Sequence, residues 1–273
     1  MAPEARKAAW ITGGSGALGR SIALRLAEDG WKVGLFARDP GRLEEAERAI
    51  GYWGGEARGF AADVLDRGGL VRAFERAAQW SGRCDALICA AGQLRSVGPM
   101  AQVDPETWWR DLEVGVRGLQ QAASLAVPSL RASGGGSIVA LVGAGAHTDL
   151  AYSAGYGAGQ AALVRLVECL AIELKSENIP VYALNPGMVP TPLLHHLIDT
   201  PEGRKWLPRF NAAMAEGKEV TAEPAAEMAA WLVSERPAEL SGRVVSALLP
   251  PELLATRLGR IVDEDLGRLR LTN

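Results

Sequence analysis

Short apolar runs alternate with helical stretches along nearly the whole chain of 273 residues. The runs are almost continuously apolar, which is typical of strands buried on both faces of a parallel sheet. Strands are predicted at Ala8–Ile11, Lys32–Phe36, Ala57–Ala62, Asp85–Cys89, Ser137–Val142, Pro180–Leu184 and Arg243–Ala247. Helices are predicted at Ala17–Asp29, Pro40–Ile50, Arg67–Trp80, Glu106–Ala132, Tyr152–Ser176 and Glu223–Ser234. The alternation predicts one doubly wound α/β domain over residues 1–273, with about seven strands and helices on both faces.

Two segments depart from the alternation. Residues 189–221 are rich in proline and follow a strand, and long excursions at the carboxyl ends of strands usually build a ligand pocket. Residues 248–273 extend beyond the last predicted strand and form a C-terminal extension. The excursion is therefore expected to shape a substrate pocket.

Composition excludes several classes of function. The net charge of −3 gives no electrostatic basis for binding nucleic acid or an anionic membrane. The three cysteines lack the spacing of a metal site and fall in apolar segments, so we expect no metal and buried, reduced thiols. No uncharged run approaches the roughly 18 residues of a membrane span, and the first residues lack the pattern of a signal sequence, so we expect neither feature. We expect a cytoplasmic protein.

A glycine-rich turn joins the first strand to the first helix. It reads Thr12-Gly-Gly-Ser-Gly-Ala-Leu-Gly19. In a Rossmann-type βα unit, glycines in this turn let the backbone approach a pyrophosphate, which lies at the helix N-terminus. The residues predicted to bind the cofactor here are Gly13, Ser15, Gly16, Ala17, Leu18 and Gly19.

The end of the second strand indicates which dinucleotide binds. An NAD-binding protein places a carboxylate there for the ribose 2′-hydroxyl. This chain has Ala37 and Arg38 instead, and an arginine suits a 2′-phosphate. The predicted cofactor is NADP(H).

With these motifs in order, the chain resembles the short-chain dehydrogenase/reductase family over roughly its whole length. The glycine turn departs from the family's Thr-Gly-x-x-x-Gly-x-Gly only by having Ala17 at the middle glycine. The resemblance implies further cofactor contacts after the third, fourth and sixth strands. These are Asp63, Val64, Ala91, Gly92, Pro186, Gly187, Val189 and Thr191.

The family's catalytic tetrad of Asn, Ser, Tyr and Lys is mostly substituted. The resemblance places Gly115 at the asparagine, Gly143 at the serine, Tyr156 at the tyrosine and Gln160 at the lysine. Tyr156 and Gln160 would also contact the cofactor. A glutamine supplies no positive charge to lower the pKa of the tyrosine. With a pKa near 10, only roughly one tyrosine in a thousand is ionised at pH 7, so Tyr156 suits proton donation better than proton abstraction.

Other side chains near the expected site can carry a proton. They are His147 and Tyr152 before the tyrosine helix, and His195 and His196 in the excursion. For each of them, an ordinary loop or surface position is the simpler interpretation.

Three functions follow as hypotheses. The first is an NADP(H)-dependent oxidoreductase with an atypical site that reduces a carbonyl or related group of a small apolar molecule. The second is a catalytically inactive nucleotide-binding protein that acts as a sensor, scaffold or partner subunit. The third is an isomerase or dehydratase on the same scaffold. The resemblance also implies a homodimer or homotetramer formed through the helices predicted at Glu106–Ala132 and Tyr152–Ser176.

Overall fold

A single parallel sheet organises the protein, whose computed structural model describes residues 6–270. Its strands are β1 Ala8–Thr12, β2 Lys32–Ala37, β3 Glu56–Ala61, β4 Ala86–Cys89, β5 Ser137–Leu141, β6 Val181–Asn185 and β7 Val244–Ser246. They pair in the order β3-β2-β1-β4-β5-β6-β7, and every neighbouring pair is parallel. The long helices are α1 Ala17–Glu28, α2 Pro40–Tyr52, α3 Arg67–Ser81, α4 Pro105–Ala132, α5 Ala154–Glu173 and α9 Glu223–Glu235. The predicted doubly wound sheet of seven strands is confirmed.

Side chains of the central strands point alternately into two hydrophobic cores. Ile11 and Ile88 pack with residues of α1 and α9 on one face of the sheet. Trp10 and Leu87 pack with residues of α3, α4 and α5 on the other face. All four side chains are almost completely buried, which explains why the strands read as unbroken apolar runs.

The strand order reverses direction beside β1. The chain leaves β1 toward β2 on one side, and returns to pair β4 on the other. A crevice forms at the carboxyl ends of the strands at such a switch point, because successive connections diverge to opposite sides. This topology positions the site described below.

Helix starts differ in a way that bears on binding. Asp39 accepts a hydrogen bond from the Arg42 amide (3.1 Å) at the start of α2, and Asp104 accepts one from the Thr107 amide (2.8 Å) at the start of α4. The start of α1 at Gly16 has no side-chain cap. Its first-turn amides therefore remain available to an external acceptor.

The excursion after β6 forms three short helices. They are α6 Pro192–Asp199, α7 Pro201–Trp206 and α8 Pro208–Ala215, each with proline in its first turn. The C-terminal extension adds α10 Pro251–Ala255 and α11 Leu258–Asp263, and its last residues, 271–273, lie outside the described residues. The extension is fastened to the body where Arg243 pairs with Asp265 (3.1 Å) and Glu168 accepts a hydrogen bond from the Leu269 amide (2.8 Å).

Two details differ from the sequence predictions. Helix α5 begins at Ala154 and not at Tyr152, because Tyr152 has a left-handed backbone (φ 65°) that is incompatible with a helix. The helix ends at Glu173 and is followed by a 3₁₀ turn. The expectation of three buried thiols is wrong for Cys169, which lies on the exposed face of α5, whereas Cys84 and Cys89 are buried.

Two absences hold for residues 6–270. No helix there is long and apolar enough to cross a membrane. No group of three or more histidine, cysteine or acidic side chains in that range is arranged to hold a metal ion.

Candidate active site

A cleft of about 370 Å³ opens at the carboxyl edge of the sheet, at the switch point. Most residues that the sequence predicts as ligands of the cofactor line this cleft. They are Gly13, Ser15, Gly16, Ala17, Leu18, Gly19, Arg38, Asp63, Val64, Ala91, Gly92, Tyr156, Gln160, Pro186 and Thr191. Residues from six separate segments of the chain thus converge on one cavity.

The glycine turn is packed too tightly for side chains. Gly13 has a left-handed backbone (φ 69°), and a Cβ atom there would lie 2.7 Å from the backbone of Ala90 and Ala91. A Cβ atom on Gly19 would overlap the carbonyl oxygen of Gly13. The turn therefore brings bare backbone and the uncapped N-terminus of α1 to the cleft, which fits a pyrophosphate.

Two arginines flank the cleft at the end of β2. Arg38 lies where the sequence predicts it, and Arg42 from the first turn of α2 lines the same wall, with its guanidinium 3.3 Å from the Ser15 carbonyl oxygen. Asp39 lies between Arg38 and Arg42 in the sequence. Its carboxylate caps α2 by accepting a hydrogen bond from the Arg42 amide. Sequence reasoning missed Arg42, although its place one turn into the helix after Arg38 was a usable signal.

Asp63 is oriented by two contacts. Its carboxylate accepts a hydrogen bond from the Leu65 amide (2.9 Å) and lies 3.4 Å from the Arg110 guanidinium. These contacts hold the side chain at the end of β3, where it lines the cleft.

Tyr156, Gly143 and Gln160 meet at the inner end of the cleft. The Gly143 amide donates a hydrogen bond to Gln160 Oε1 (2.7 Å). The Tyr156 hydroxyl oxygen lies so close to Gly143 that a Cβ atom on residue 143 would overlap it. The tyrosine oxygen thus occupies space that a side chain on residue 143 would need.

Burial keeps Tyr156 protonated. The residue is 7% exposed, and burial raises the pKa of its hydroxyl well above the ordinary value. The negative charge of Asp111 raises that pKa further. No hydrogen bond to the hydroxyl forms among the described residues, so its proton is available to a molecule in the cleft.

Gly115 does not line the cleft, contrary to its predicted catalytic position. A side chain there would meet Leu163 of α5 at 3.1 Å, because α4 and α5 pack closely at this point. The position is therefore a helix contact, and it brings no polar group to the site.

Two predicted cofactor contacts also lie off the cleft. Gly187 has a left-handed backbone (φ 79°) and forms a turn in which its amide donates to Asn185 Oδ1 (3.0 Å). Val189 is buried in the protein. Both support the shape of the loop that carries Pro186 and Thr191 to the cleft wall.

None of the alternative proton carriers lines the cleft. His147 is exposed, and His195 is an exposed residue 3.8 Å from Asp199. Tyr152 is 42% exposed and stacks on Trp206 at 4.8 Å between ring centroids. His196 is bound to Arg95. Tyr156 is therefore the ionisable side chain in the described residues that suits proton donation at the inner end of the cleft.

Sequence reasoning also missed Asp111 of α4. Its carboxylate is 3% exposed and holds the loop after β4, the loop that forms one wall of the cleft through Gln93, Leu94 and Arg95. Nothing in the local pattern distinguishes it from other helical acidic residues, because its role depends on a loop folding over it.

Comparisons with known proteins show which family the chain resembles. The family model described as short chain dehydrogenase matches residues 7–202. The short chain dehydrogenase mpl6 of Monascus purpureus is 28% identical in an alignment of 273 positions that covers 97% of this chain and 88% of that protein.

Solved structures show the same similarity. L-sorbose reductase from Gluconobacter frateurii, complexed with NADPH and L-sorbose, is 29% identical with a TM-score of 0.78, over 89% of this chain and 95% of that one. The 3-ketoacyl-(acyl-carrier-protein) reductase from Brucella melitensis, complexed with NADH, is 29% identical with a TM-score of 0.77, over 88% of this chain and 96% of that one. Because one structure holds NADPH and the other NADH, the similarity alone does not select a cofactor.

The contact between Gly143 and Tyr156 predicts a specific energetic coupling. Gly143→Ala should lower the free energy of unfolding by about 1–3 kcal/mol, because the methyl group overlaps the tyrosine oxygen. Tyr156→Phe removes that oxygen, so the loss should be smaller in the double variant by at least about 0.5 kcal/mol. Denaturant unfolding of the four proteins measures the coupling.

Gly51→Ala is the control, because residue 51 lies in α2 with open space around it, and the change should be neutral or slightly stabilising. Strictly additive effects of Gly143→Ala and Tyr156→Phe would show that the two residues do not compete for this space.

Proposed function

The chain belongs to the short-chain dehydrogenase family, an oxidoreductase family, and we propose that it is an NADP(H)-dependent reductase of a carbonyl or related group in a small apolar molecule. One observation carries the proposal. A tyrosine hydroxyl whose pKa is raised, and which has no hydrogen-bond partner among residues 6–270, lies in the same cleft as the glycine turn and Arg38. Such a group is a proton donor throughout the neutral pH range.

The residues present fit NADP(H). The bare turn at Gly13 and the open start of α1 suit the pyrophosphate, while Arg38 and Arg42 suit the 2′-phosphate. The amide nitrogen of Gln160 is free of partners among the described residues and suits a ribose hydroxyl. When bound, the reduced nicotinamide supplies a hydride.

Tyr156 would deliver the proton that accompanies reduction. Its oxygen is fixed between Gly143 and the cleft, so a carbonyl oxygen at the inner end of the cleft would receive its proton as negative charge develops. In the reverse direction the site would need an ionised tyrosine, which burial and Asp111 both disfavour.

The substrate wall is mostly apolar. Leu94, Val142 and Leu193 line the cleft. Val97, Met100 and Trp206 line neighbouring surface cavities. A ketone or aldehyde with a compact apolar body suits this wall.

The two arginines predict the cofactor preference. Arg38→Ala should weaken NADPH binding by about ten- to a hundredfold, because a charge-assisted hydrogen bond contributes roughly 1.5–3 kcal/mol. NADH binding should hardly change, and Arg42→Ala should act in the same direction. Calorimetric titration of both cofactors measures the effect.

Arg48→Ala removes the same charge from an exposed position of α2 outside the cleft, and serves as the control. Equal affinity of the unaltered protein for NADPH and NADH would contradict the proposed preference.

The proton donor can be tested directly. Tyr156→Phe should lower the rate of carbonyl reduction by about a hundredfold or more, the usual contribution of a positioned general acid. Because the pKa of Tyr156 is raised, its acid form persists as pH rises, and reduction should not decline between pH 7 and 9 on its account. NADPH oxidation followed by absorbance with a panel of ketones measures both effects.

Tyr152→Phe is the matched control, since Tyr152 stacks on Trp206 outside the cleft and its variant should keep its activity. An unchanged rate in Tyr156→Phe would assign the proton to another group. Tight NADPH binding with no turnover of any ketone would instead favour the inactive nucleotide-binding protein.

We also propose a homodimer or homotetramer formed through α4 and α5. Trp109 of α4 is 58% exposed and Ile172 of α5 is 76% exposed, and both would be covered in such an assembly. Light scattering should give at least twice the chain mass of 28.9 kDa at micromolar concentration. A mass near that of one chain would contradict the assembly.

A further inference from the structure

Asp111 is a buried acidic residue beside the inner end of the cleft. It lies on α4 with a residual exposure of 3%. A carboxylate is costly to bury unless a cation or several hydrogen bonds compensate its charge. The groups around Asp111 therefore determine whether its negative charge is compensated.

All three hydrogen bonds to Asp111 come from neutral donors. Gln93 Nε2 lies 3.1 Å from one carboxylate oxygen, and the amides of Arg95 and Ser96 lie 2.8 and 2.6 Å from the other. Arg95 contributes only its backbone here, because its guanidinium lies 3.2 Å from His196 Nδ1. Nowhere in residues 6–270 does a basic side chain form an ion pair with Asp111, so its negative charge is not neutralised by a cation.

The negative charge of Asp111 acts on the inner end of the cleft. Gln93, which binds Asp111 directly, lines the cleft, and so does Val114, which follows Asp111 by one turn of α4. Asp111 also raises the pKa of Tyr156, which is an effect of its charge across the same space. At this end the cleft offers Tyr156, Gln160 and Gly143, all without charge.

We infer that Asp111 is a positioning residue whose uncompensated negative charge favours the oxidised, positively charged nicotinamide over the neutral reduced form. This inference rests on the proposed function. In reduction, the carbonyl carbon would gain the hydride supplied by the bound nicotinamide, which would become positively charged, and the carbonyl oxygen would gain the proton of Tyr156. The tyrosinate left behind would regain a proton from water. With Tyr156 protonated, a fixed negative charge nearby would favour binding of the oxidised, positively charged cofactor over the neutral reduced form.

Asp111→Asn tests the inference through binding alone. The amide is nearly isosteric with the carboxylate, and its oxygen still accepts from the Arg95 and Ser96 amides, while the Gln93 amide can rotate to accept from the new NH₂ group. The ratio of the dissociation constants of NADP⁺ and NADPH should rise on the order of tenfold, because one charge at several ångströms has been removed. Calorimetry for NADP⁺ and cofactor fluorescence for NADPH give the two constants.

Glu113→Gln is the matched control. Glu113 lies two residues further along α4 and is paired with Arg117 at the surface, so the same charge is lost away from the cleft and the ratio should stay constant. If Asp111→Asn does not fold, Gln93→Lys provides a second test. It places a cation against the intact carboxylate and should shift the ratio in the same direction.

The binding results distinguish the role inferred for Asp111 from the proposed reductase function. Binding of both cofactors with an unchanged ratio in Asp111→Asn, or in Gln93→Lys where only that variant folds, would overturn the role of Asp111 and leave the proposed reductase standing. Failure of the unaltered protein to bind either cofactor would overturn the proposed function, and the inference with it.

Discussion

All seven strands run in one direction, and this constraint places every strand's carboxyl end at the same edge of the sheet. Residues as distant in sequence as Gly13, Gly143 and Pro186 therefore line one cleft. The reversal of strand order beside β1 opens that cleft, and the tight contact of Gly13 with the backbone of Ala90 and Ala91 shapes its floor. The polar chemistry of the site is built on this backbone frame.

At the inner end of the cleft, neutrality is the main electrostatic feature. Gln160 satisfies the Gly143 amide with its carbonyl oxygen and brings no charge, and Tyr156 fills the space beside Gly143 in its protonated form. Asp111 is a buried residue whose negative charge raises the pKa of Tyr156. A site of this kind keeps Tyr156 in its protonated form and favours a positively charged ligand over a neutral one.

The fold was predictable because it depends on the period and length of apolar runs, which the sequence displays directly. The cofactor turn was predictable for a related reason, since it combines a motif with its position between strand and helix. The exact ends of the helices were harder to predict. The left-handed backbone at Tyr152 makes α5 begin at Ala154, and no residue type there predicts that backbone conformation.

The polar details of the site required the structure. Gly115 aligns with a catalytic position, yet it faces Leu163, because helix packing and not sequence order decides which side of α4 meets the cleft. In the sequence, Arg42 and Asp111 resemble other charged residues of helices. Arg42 contacts Ser15, and Asp111 contacts Gln93, only when neighbouring loops fold against the helices. Such tertiary contacts leave no local pattern in the sequence.

Hydride transfer in the cleft, with Tyr156 as the proton donor, is tested most directly by deuterium labelling. Deuterium is followed by mass spectrometry from NADPH labelled at its transferring position into the products of a ketone panel. The account predicts deuterium on the carbinol carbon of at least one product, and its loss in Tyr156→Phe, although that variant still binds NADPH. Tight NADPH binding by the unaltered protein with no label in any product would contradict the account.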